Sequence, residues 1–454
     1  MAKVQYLHSL LLRKKHYWMG SQFFIRRSRR TVEHIYRCLG SRYFRRAYRL
    51  SYESFQYLHE KLSAGIAEAI DNLRPYERRG GRGGHYKPPP VRHGLVSTSV
   101  RLACALRYFA GGSPYDIMAK YGLSHASLYE SIWAVVEAVN TFDEFDIEYP
   151  SSEMAQLKIA EEFEKVSEVK FNNCAGAIDG ILIWILKPSE EDANDAGCGR
   201  RKFFCGRKGK FGLNCQAVSD VRGRILDLSI GLPGASSDCI AFEGSDLYER
   251  LEGGLLKNGL VLYGDNAYIN TRYMATPFPN VSSGSKDDYN FFQSQLRIRV
   301  KCAYGPLVSR WGILRSAMPL NITIVRTVAM VNCLARLHNF CIDEADRFGE
   351  VSQVEEQLPL DLENMLNNPD GYVPLTMDDN HDGIAIPTEI MDAGHHFDDC
   401  PRAARRGQRT DLASDTSSEL PRTILLNHVV DSHKTRPHTN AQIKKKTKPL
   451  KTTY

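Results

Sequence analysis

The sequence has no hydrophobic run long enough to cross a bilayer. Its longest purely aliphatic and aromatic stretch runs from Ile181 to Leu186, far below the roughly 20 residues of a spanning helix. Near the N-terminus, Leu10 to Leu12 give way at once to Arg13, Lys14 and Lys15, which is not a secretory segment. A soluble, intracellular chain without a membrane partner is therefore expected. Paired cysteines are also missing. The eleven cysteines include no Cys-x2-Cys spacing, which argues against a zinc ribbon or finger. An odd number of scattered cysteines points to reduced, mostly buried thiols. Acid is scarce at the start, where residues 1–50 hold thirteen Lys and Arg and one acid, Glu33. Base is scarce later, where residues 342–400 hold one Arg, Arg347, against sixteen acids.

What is present follows from that asymmetry. The 454 residues are 43% hydrophobic and 25% charged, enough for two to four domains with buried cores. The net charge of +6 is the sum of very unequal parts. Residues 1–50 carry +12, residues 51–100 carry +2, and residues 101–341 carry −1. Residues 342–400 carry −15 and residues 401–454 carry +8. A near-neutral body with basic ends suits a polyanion partner.

Periodicity divides the chain further. Ser51 or Ser54 starts a helix with Phe55, Leu58 and Leu62 on one face. The glycines and triple proline between Arg78 and His93 exclude a regular element. Ser99 to Phe109 reads as a helix ended by Gly111-Gly112. Ser113-Pro114 starts another that closes at Gly122, and Ser124 caps a third. The pair joined at Gly122-Leu123-Ser124 is either a DNA-binding helix-turn-helix or a packing corner. From Asn173 the period changes to that of strands: Cys174 to Leu186, Gly212 to Ser219 and Arg224 to Ile230, with a hairpin turn at Asp220 to Gly223. A helix over Ser237 to Leu251, a strand over Gly259 to Tyr263, and helices over Lys286 to Leu314 and Val325 to Cys341 complete an α/β domain. Residues 342–454 show no such pattern and are expected to lack fixed structure.

Two carboxylates interrupt apolar strands. Asp179 sits in Ala177-Ile-Asp-Gly180 and Asp265 in Tyr263-Gly-Asp-Asn-Ala-Tyr268. A charge in a strand meant for the core is costly unless paired or bound to metal. Each aspartate either caps a loop or shares a divalent cation with the other, since oxygen ligands suit Mg2+ or Mn2+.

These residues belong to a longer pattern. It includes Lys187-Pro188, Phe211-Gly-Leu-Asn-Cys-Gln-Ala-Val-Ser-Asp220, Gly223-Arg-Ile-Leu-Asp227 and Pro233-Gly-Ala-Ser-Ser-Asp238. It continues through Thr276-Pro277, the segment from Leu296 to Leu314, and Ala335-Arg-Leu-His-Asn339. Over residues 170–341 the chain resembles the DDE-type endonucleases derived from PIF/Harbinger transposases. The resemblance implies an α/β fold with a ribonuclease-H-like mixed sheet. An all-α, helix-turn-helix-like region would precede it and a disordered tail would follow. The expected division is a basic N-terminal arm (1–50), a helical region (51–160), a nuclease domain (165–341) and an acidic, then basic, tail (342–454). In that family two aspartates and a glutamate hold two divalent ions for displacement at phosphorus. Asp179 and Asp265 match the aspartates as catalytic and metal-binding residues. Lys301 stands where the family has glutamate, and the segment from Gln293 to Leu314 contains no acid to replace it. Asp238 or Glu243 lies within reach in sequence terms, but the family does not use either as the third ligand.

Two functions follow. The first is a metal-dependent DNA nuclease or transposase, degenerate at the third acid, with Mg2+ or Mn2+ bound weakly. The second is a non-catalytic DNA-binding or complex-forming remnant of a transposase. Arg26, Arg27, Arg29 and Arg30 are the candidate DNA contacts, since phosphate attraction is the cheapest use of such a run. Arg79 to Gly84 reads as an RGG-type strand binder or as a plain linker. Lys444 to Lys448 reads as a nuclear-import run. DNA, a separate Myb-like DNA-binding protein and a second copy of the chain are the partners the resemblance allows.

Overall fold

The computed structural model describes residues 29–73, 95–257, 259–319, 322–348 and 421–437. Packing divides the chain into two units, one ending at Asp143 and the other beginning at Glu144.

The first unit is all-helical. Helices α1 (Val32–Tyr48), α2 (Tyr52–Leu73), α3 (Thr98–Phe109), α4 (Pro114–Tyr121) and α5 (His125–Asn140) make it up. Thr31 caps α1 by accepting from the His34 N–H at 3.2 Å. Gly40, at φ 80°, breaks α1 ahead of its basic and aromatic second half. Phe44 and Tyr48 are buried there, and Phe44 meets Tyr52 and Phe55 edge-on. Much of the expected basic arm is thus helix, because its aromatics have a core to enter. Gly122, in the left-handed region, and the Ser124 cap join α4 to α5 as the sequence predicts. Helix α5 buries Leu128, Ser131, Ile132, Val135, Val136 and Val139. Only its first turn, at His125 and Ala126, lies fully in solvent apart from Glu137.

The second unit is a layered α/β structure. Its elements begin with α6 (Glu153–Val166), β1 (Cys174–Trp184), α7 (Glu190–Asp195), β2 (Phe204–Cys205), β3 (Lys210–Ser219) and β4 (Ile225–Pro233). Then come α8 (Asp238–Glu243), α9 (Asp246–Glu252), β5 (Val261–Tyr263), β6 (Met274–Ala275), α10 (Ser285–Arg310) and α11 (Ile324–Phe348). The six-stranded mixed sheet runs β2-β3-β1-β5-β6, with β4 pairing β3. Strand β1 is central, antiparallel to β3 and parallel to β5. Near its start, Gly176 has φ 152°, and a Cβ there would lie 2.6 Å from Val218 Cγ1. Helix α6 packs on β1, with Ala160, Ala175 and Leu260 in one buried cluster. It belongs to the sheet unit, although its period matches the helices before it and placed its first half in the helical region.

The hairpin at Asp220 forms as expected. The Asp220 carboxylate accepts from the Arg222 and Arg224 N–H groups, and Gly223 takes φ 84°. Helix α11 fixes the start of β4: Asn339 exchanges two hydrogen bonds with the Ile225 backbone, at 2.9 and 2.8 Å. His338 is buried and held neutral, its pKa lowered to about 3 by burial and by Arg310. It accepts from Arg310 at 2.8 Å through Nδ1 and donates to the Gly223 carbonyl at 3.1 Å through Nε2.

The expected structureless tail requires a correction. Helix α11 continues to Phe348, and α12 (Pro421–Asp431) docks on the sheet unit. Leu425, Val429 and Arg422 are buried, and the Arg422 guanidinium lies 4.4 Å from the Phe278 ring centre. The Arg436 N–H donates to Asp288 at 2.6 Å, and its side chain pairs with Asp287 at 3.1 Å. The apolar residues of α12, Ile424 to Leu426 and Val429-Val430, form one short run between polar flanks, too brief to set a helical period. Residues 349–420 and 438–454 lie outside the described residues. We expect Leu425→Ala to destabilise the second unit by about 2–4 kcal/mol, as for other buried leucines. Urea unfolding of the full chain checks this, and an unchanged midpoint would mean that α12 does not dock in solution.

Candidate active site

Asp179 lies at the middle of β1 and is 6% exposed. Ala177 pairs with Tyr263 across the parallel β1–β5 step. Two residues further on come Asp179, within β1, and Asp265, just past the C-terminal end of β5, so both carboxylates lie toward that end of β5. Asp265 is half-buried, and its Oδ1 accepts from the Ala267 N–H at 2.8 Å.

One face of α10 closes over this end. Gln293, Arg297, Lys301 and Tyr304 recur at helical spacing on that face. Gln293 donates to the carbonyls of Gly264 and Ala275, at 2.8 and 3.2 Å. Tyr304 donates to the Asp179 carbonyl at 2.7 Å. Between these two anchors, Lys301 Nζ stands 3.6 Å from Asp179 Oδ2. Burial raises the Asp179 pKa to about 6. The charges of Lys301 and Arg297 and the Gly180 N–H, 2.9 Å from Oδ1, oppose that rise, and Asp265 adds to it.

A second carboxylate arrangement lies beside the first. Asp238, at the start of α8, accepts from Asn214 and Gln216, each at 3.1 Å. Gln216 also donates to Asn214 at 2.7 Å and accepts from the Tyr268 hydroxyl. Burial and the surrounding carboxylates, Asp179 first among them, push the Tyr268 pKa well above 10, so the hydroxyl remains a donor. Gly180 makes the approach of Asp238 possible: a Cβ there would lie 2.3 Å from Asp238 Oδ1. Asn214, Gln216 and Tyr268 were not singled out in the sequence. The available signal was two amides alternating along a strand that is otherwise apolar, because buried amides demand partners.

The residues present do not fit a two-ion centre. Mg2+ and Mn2+ want oxygen ligands, and Lys301 offers an ammonium in that place. Asp238 is held by two amides. Among the described residues, no group of three or more His, Cys, Asp or Glu side chains is disposed to hold a metal. The structure thus brings Asp179, Asp265 and Lys301 together, with Asp238 adjacent. Of the candidate DNA contacts, Arg30 is exposed and Arg29 half-buried ahead of α1. Arg26, Arg27, the RGG-type stretch and Lys444 to Lys448 lie outside the described residues. No helix among the described residues is long and apolar enough to cross a membrane.

A mixed sheet covered by a helix, with Asp179 on its central strand and Asp265 just past β5, is the arrangement of a ribonuclease-H-like DDE fold. Residues 178–339 match the DDE superfamily endonuclease family. Its relatives include proteins named "Putative nuclease HARBI1" from three mammals. The Bos taurus protein is 24% identical over 277 residues, covering 59% of this chain and 76% of its own length. The Homo sapiens protein is 25% identical over 233 residues, covering 51% of this chain and 63% of its own length. The Mus musculus protein is 25% identical over 259 residues, covering 56% and 70%. No solved structure matches the chain.

The buried carboxylate gives a pH prediction. The Asp179 pKa in the folded chain is about 6, against an ordinary value of 3.8. The native state therefore holds a proton that the unfolded chain releases between those values. The associated stability is complete below about pH 4 and lost as pH rises through about 6. Asp265, Asp238, Lys301, Arg297, Tyr268 and Tyr304 face the group and are unchanged in the comparison. Asp179→Asn should match the parent near pH 4 and exceed it above pH 7 by on the order of 2 kcal/mol. Thermal melts of both chains across that range test this, and parallel curves would refute it.

Proposed function

We propose that the chain acts on DNA as a transposase-derived nuclease whose metal-dependent chemistry is weakened at the third acid position. The observation that carries this reading is the 3.6 Å contact between Lys301 Nζ and Asp179 Oδ2. The ammonium takes the place of a cation-binding carboxylate and neutralises part of the charge that would attract an ion. At an effective dielectric near 20, a divalent ion about 4 Å from that ammonium would meet a repulsion of about 8 kcal/mol. Arg297 and Lys301 instead offer positive charge to a phosphodiester, while Asp179 and Asp265 remain oxygen donors on the sheet. DNA is the substrate class, and work on DNA suits the nucleus. A separate Myb-like DNA-binding protein and a second copy of the chain are the partners this reading allows.

The absence of a three-residue ligand group among the described residues favours a second reading, a non-catalytic DNA-binding or complex-forming remnant. Lys301→Glu separates the two. It restores an acid and removes the repulsion together. Mg2+ or Mn2+ affinity should rise at least tenfold, which needs only about 1.4 kcal/mol. The measurement is calorimetric titration of the parent and Lys301→Glu chains, with Asp265→Asn as the negative control. A gain with strand cleavage supports a weakened nuclease, and a gain without cleavage supports the remnant. Equal affinities for parent and variant would remove Lys301 from the third ligand position.

A further inference from the structure

The stretch from Ala196 to Ser219 contains six lysines and arginines and no acid. It folds as a 3-10 turn at Arg200–Phe203, then β2, a turn over residues 206–209, and the start of β3. The backbone is well held. Phe204 pairs with Phe211 and Cys205 with Lys210 across the β2–β3 step. The Lys208 N–H donates to the Cys205 carbonyl at 3.1 Å, and Gly209 takes φ 63°. Phe203 is buried, and the Phe204 and Phe211 rings meet at 5.2 Å.

The charges stand outside this frame. Arg201, Lys202, Arg207, Lys208 and Lys210 are all exposed, as is Lys187 just beyond β1. Neighbouring acids are largely committed elsewhere or lie in solvent. Glu190 pairs with Arg200 at 3.3 Å, and Asp192 accepts from the first N–H of α11 at 3.1 Å. Glu191 and Asp195 are exposed on α7. Among the described residues, Arg201, Lys202, Arg207 and Lys208 form no ion pair with a carboxylate. A rigid hairpin that gathers like charges without pairing them pays for self-repulsion and gains a field for anions.

We infer that this hairpin is a binding surface for the backbone of duplex DNA, in addition to the N-terminal arginines. The inference rests on the reading of the chain as a DNA-acting protein and extends it to a new surface. Two features choose backbone over bases. The nearby Trp184 ring is covered by Lys210, whose Nζ lies 3.2 Å from the ring centre, so that face does not stack a base. The half-buried Phe204 and Phe211 rings are turned to each other at 5.2 Å, and the fully exposed groups of the hairpin are cationic. Position adds a third argument. Strand β3 runs from Lys210 to Ala217, which pairs with Asp179. Seven residues of strand span about 23 Å. The hairpin therefore stands about 23 Å from Asp179, a span of about seven base pairs at 3.4 Å per phosphate of one strand, so one duplex is long enough to reach both.

The test uses the full chain with EDTA present, so metal competence does not enter. Binding of a labelled duplex of about 20 base pairs is measured between about 50 and 200 mM salt. The parent is compared with a chain bearing Arg201→Gln, Lys202→Gln, Arg207→Gln and Lys208→Gln. A second comparison bears Arg201→Lys and Arg207→Lys, which keep the charge. Each lost phosphate contact lowers the slope of log affinity against log salt by about 0.9, so four should lower it by about 3–4. Affinity at the lowest salt should fall at least tenfold in the Gln chain and be retained in the Lys chain. Equal slopes for parent and Gln chain would overturn the hairpin alone. Equal losses in the Gln and Lys chains would assign the effect to folding, and overturn it too. A parent that does not bind duplex at any salt would overturn both the hairpin and the DNA-acting reading.

Discussion

Lys301 lies 3.6 Å from a carboxylate that the sheet buries in its central strand, and the surrounding architecture answers the cost of that burial. Asp179 has apolar neighbours along β1, little exposure and a second carboxylate, Asp265, just past the end of the adjacent strand. Its charge is tolerated because one helix face delivers two cations to it. That face is positioned by groups that carry no charge: the Gln293 amide at the Gly264 carbonyl and the Tyr304 hydroxyl at the Asp179 carbonyl. The polar network of Asn214, Gln216, Asp238 and Tyr268 then fills the space that Gly180 leaves open. Removing the helix face would leave an uncompensated buried charge, which costs more than any single packing contact in the unit.

The same geometry explains why a lysine is tolerated at this position. In an ion-binding centre, carboxylates are mutually repulsive until the cation arrives. With Lys301 3.6 Å from Asp179, part of that repulsion is relieved within the chain itself. A buried pair of this kind is weak support for stability in general.

Much of this was legible in the sequence, for specific reasons. Asp179 and Asp265 stood out because charge interrupts apolar strands, and Lys301 because it replaces an acid in an otherwise familiar pattern. The Asp220 hairpin and the Gly122 corner were legible because turn chemistry is local. What escaped was non-local. The two amides of β3 gain meaning only when Asp238 and Tyr268 arrive from elsewhere in the chain. Helix α6 has the same period as the helices before it, and only its packing on β1 assigns it to the sheet. Helix α12 is recognised by the surface it covers, formed in part by Phe278 and the start of α10, rather than by its own brief apolar pattern.

Helix α10 contains Pro306, whose missing N–H leaves the Cys302 carbonyl without its partner in the helical ladder. The break falls between the two sets of anchors described above. On the N-terminal side, Gln293 and Tyr304 tie the helix to the sheet. On the C-terminal side, Arg310 ties it to His338 of α11. Lys301 thus belongs to the part of the helix registered to the strands, and the missing ladder bond separates it from the last turn, which is tied to α11.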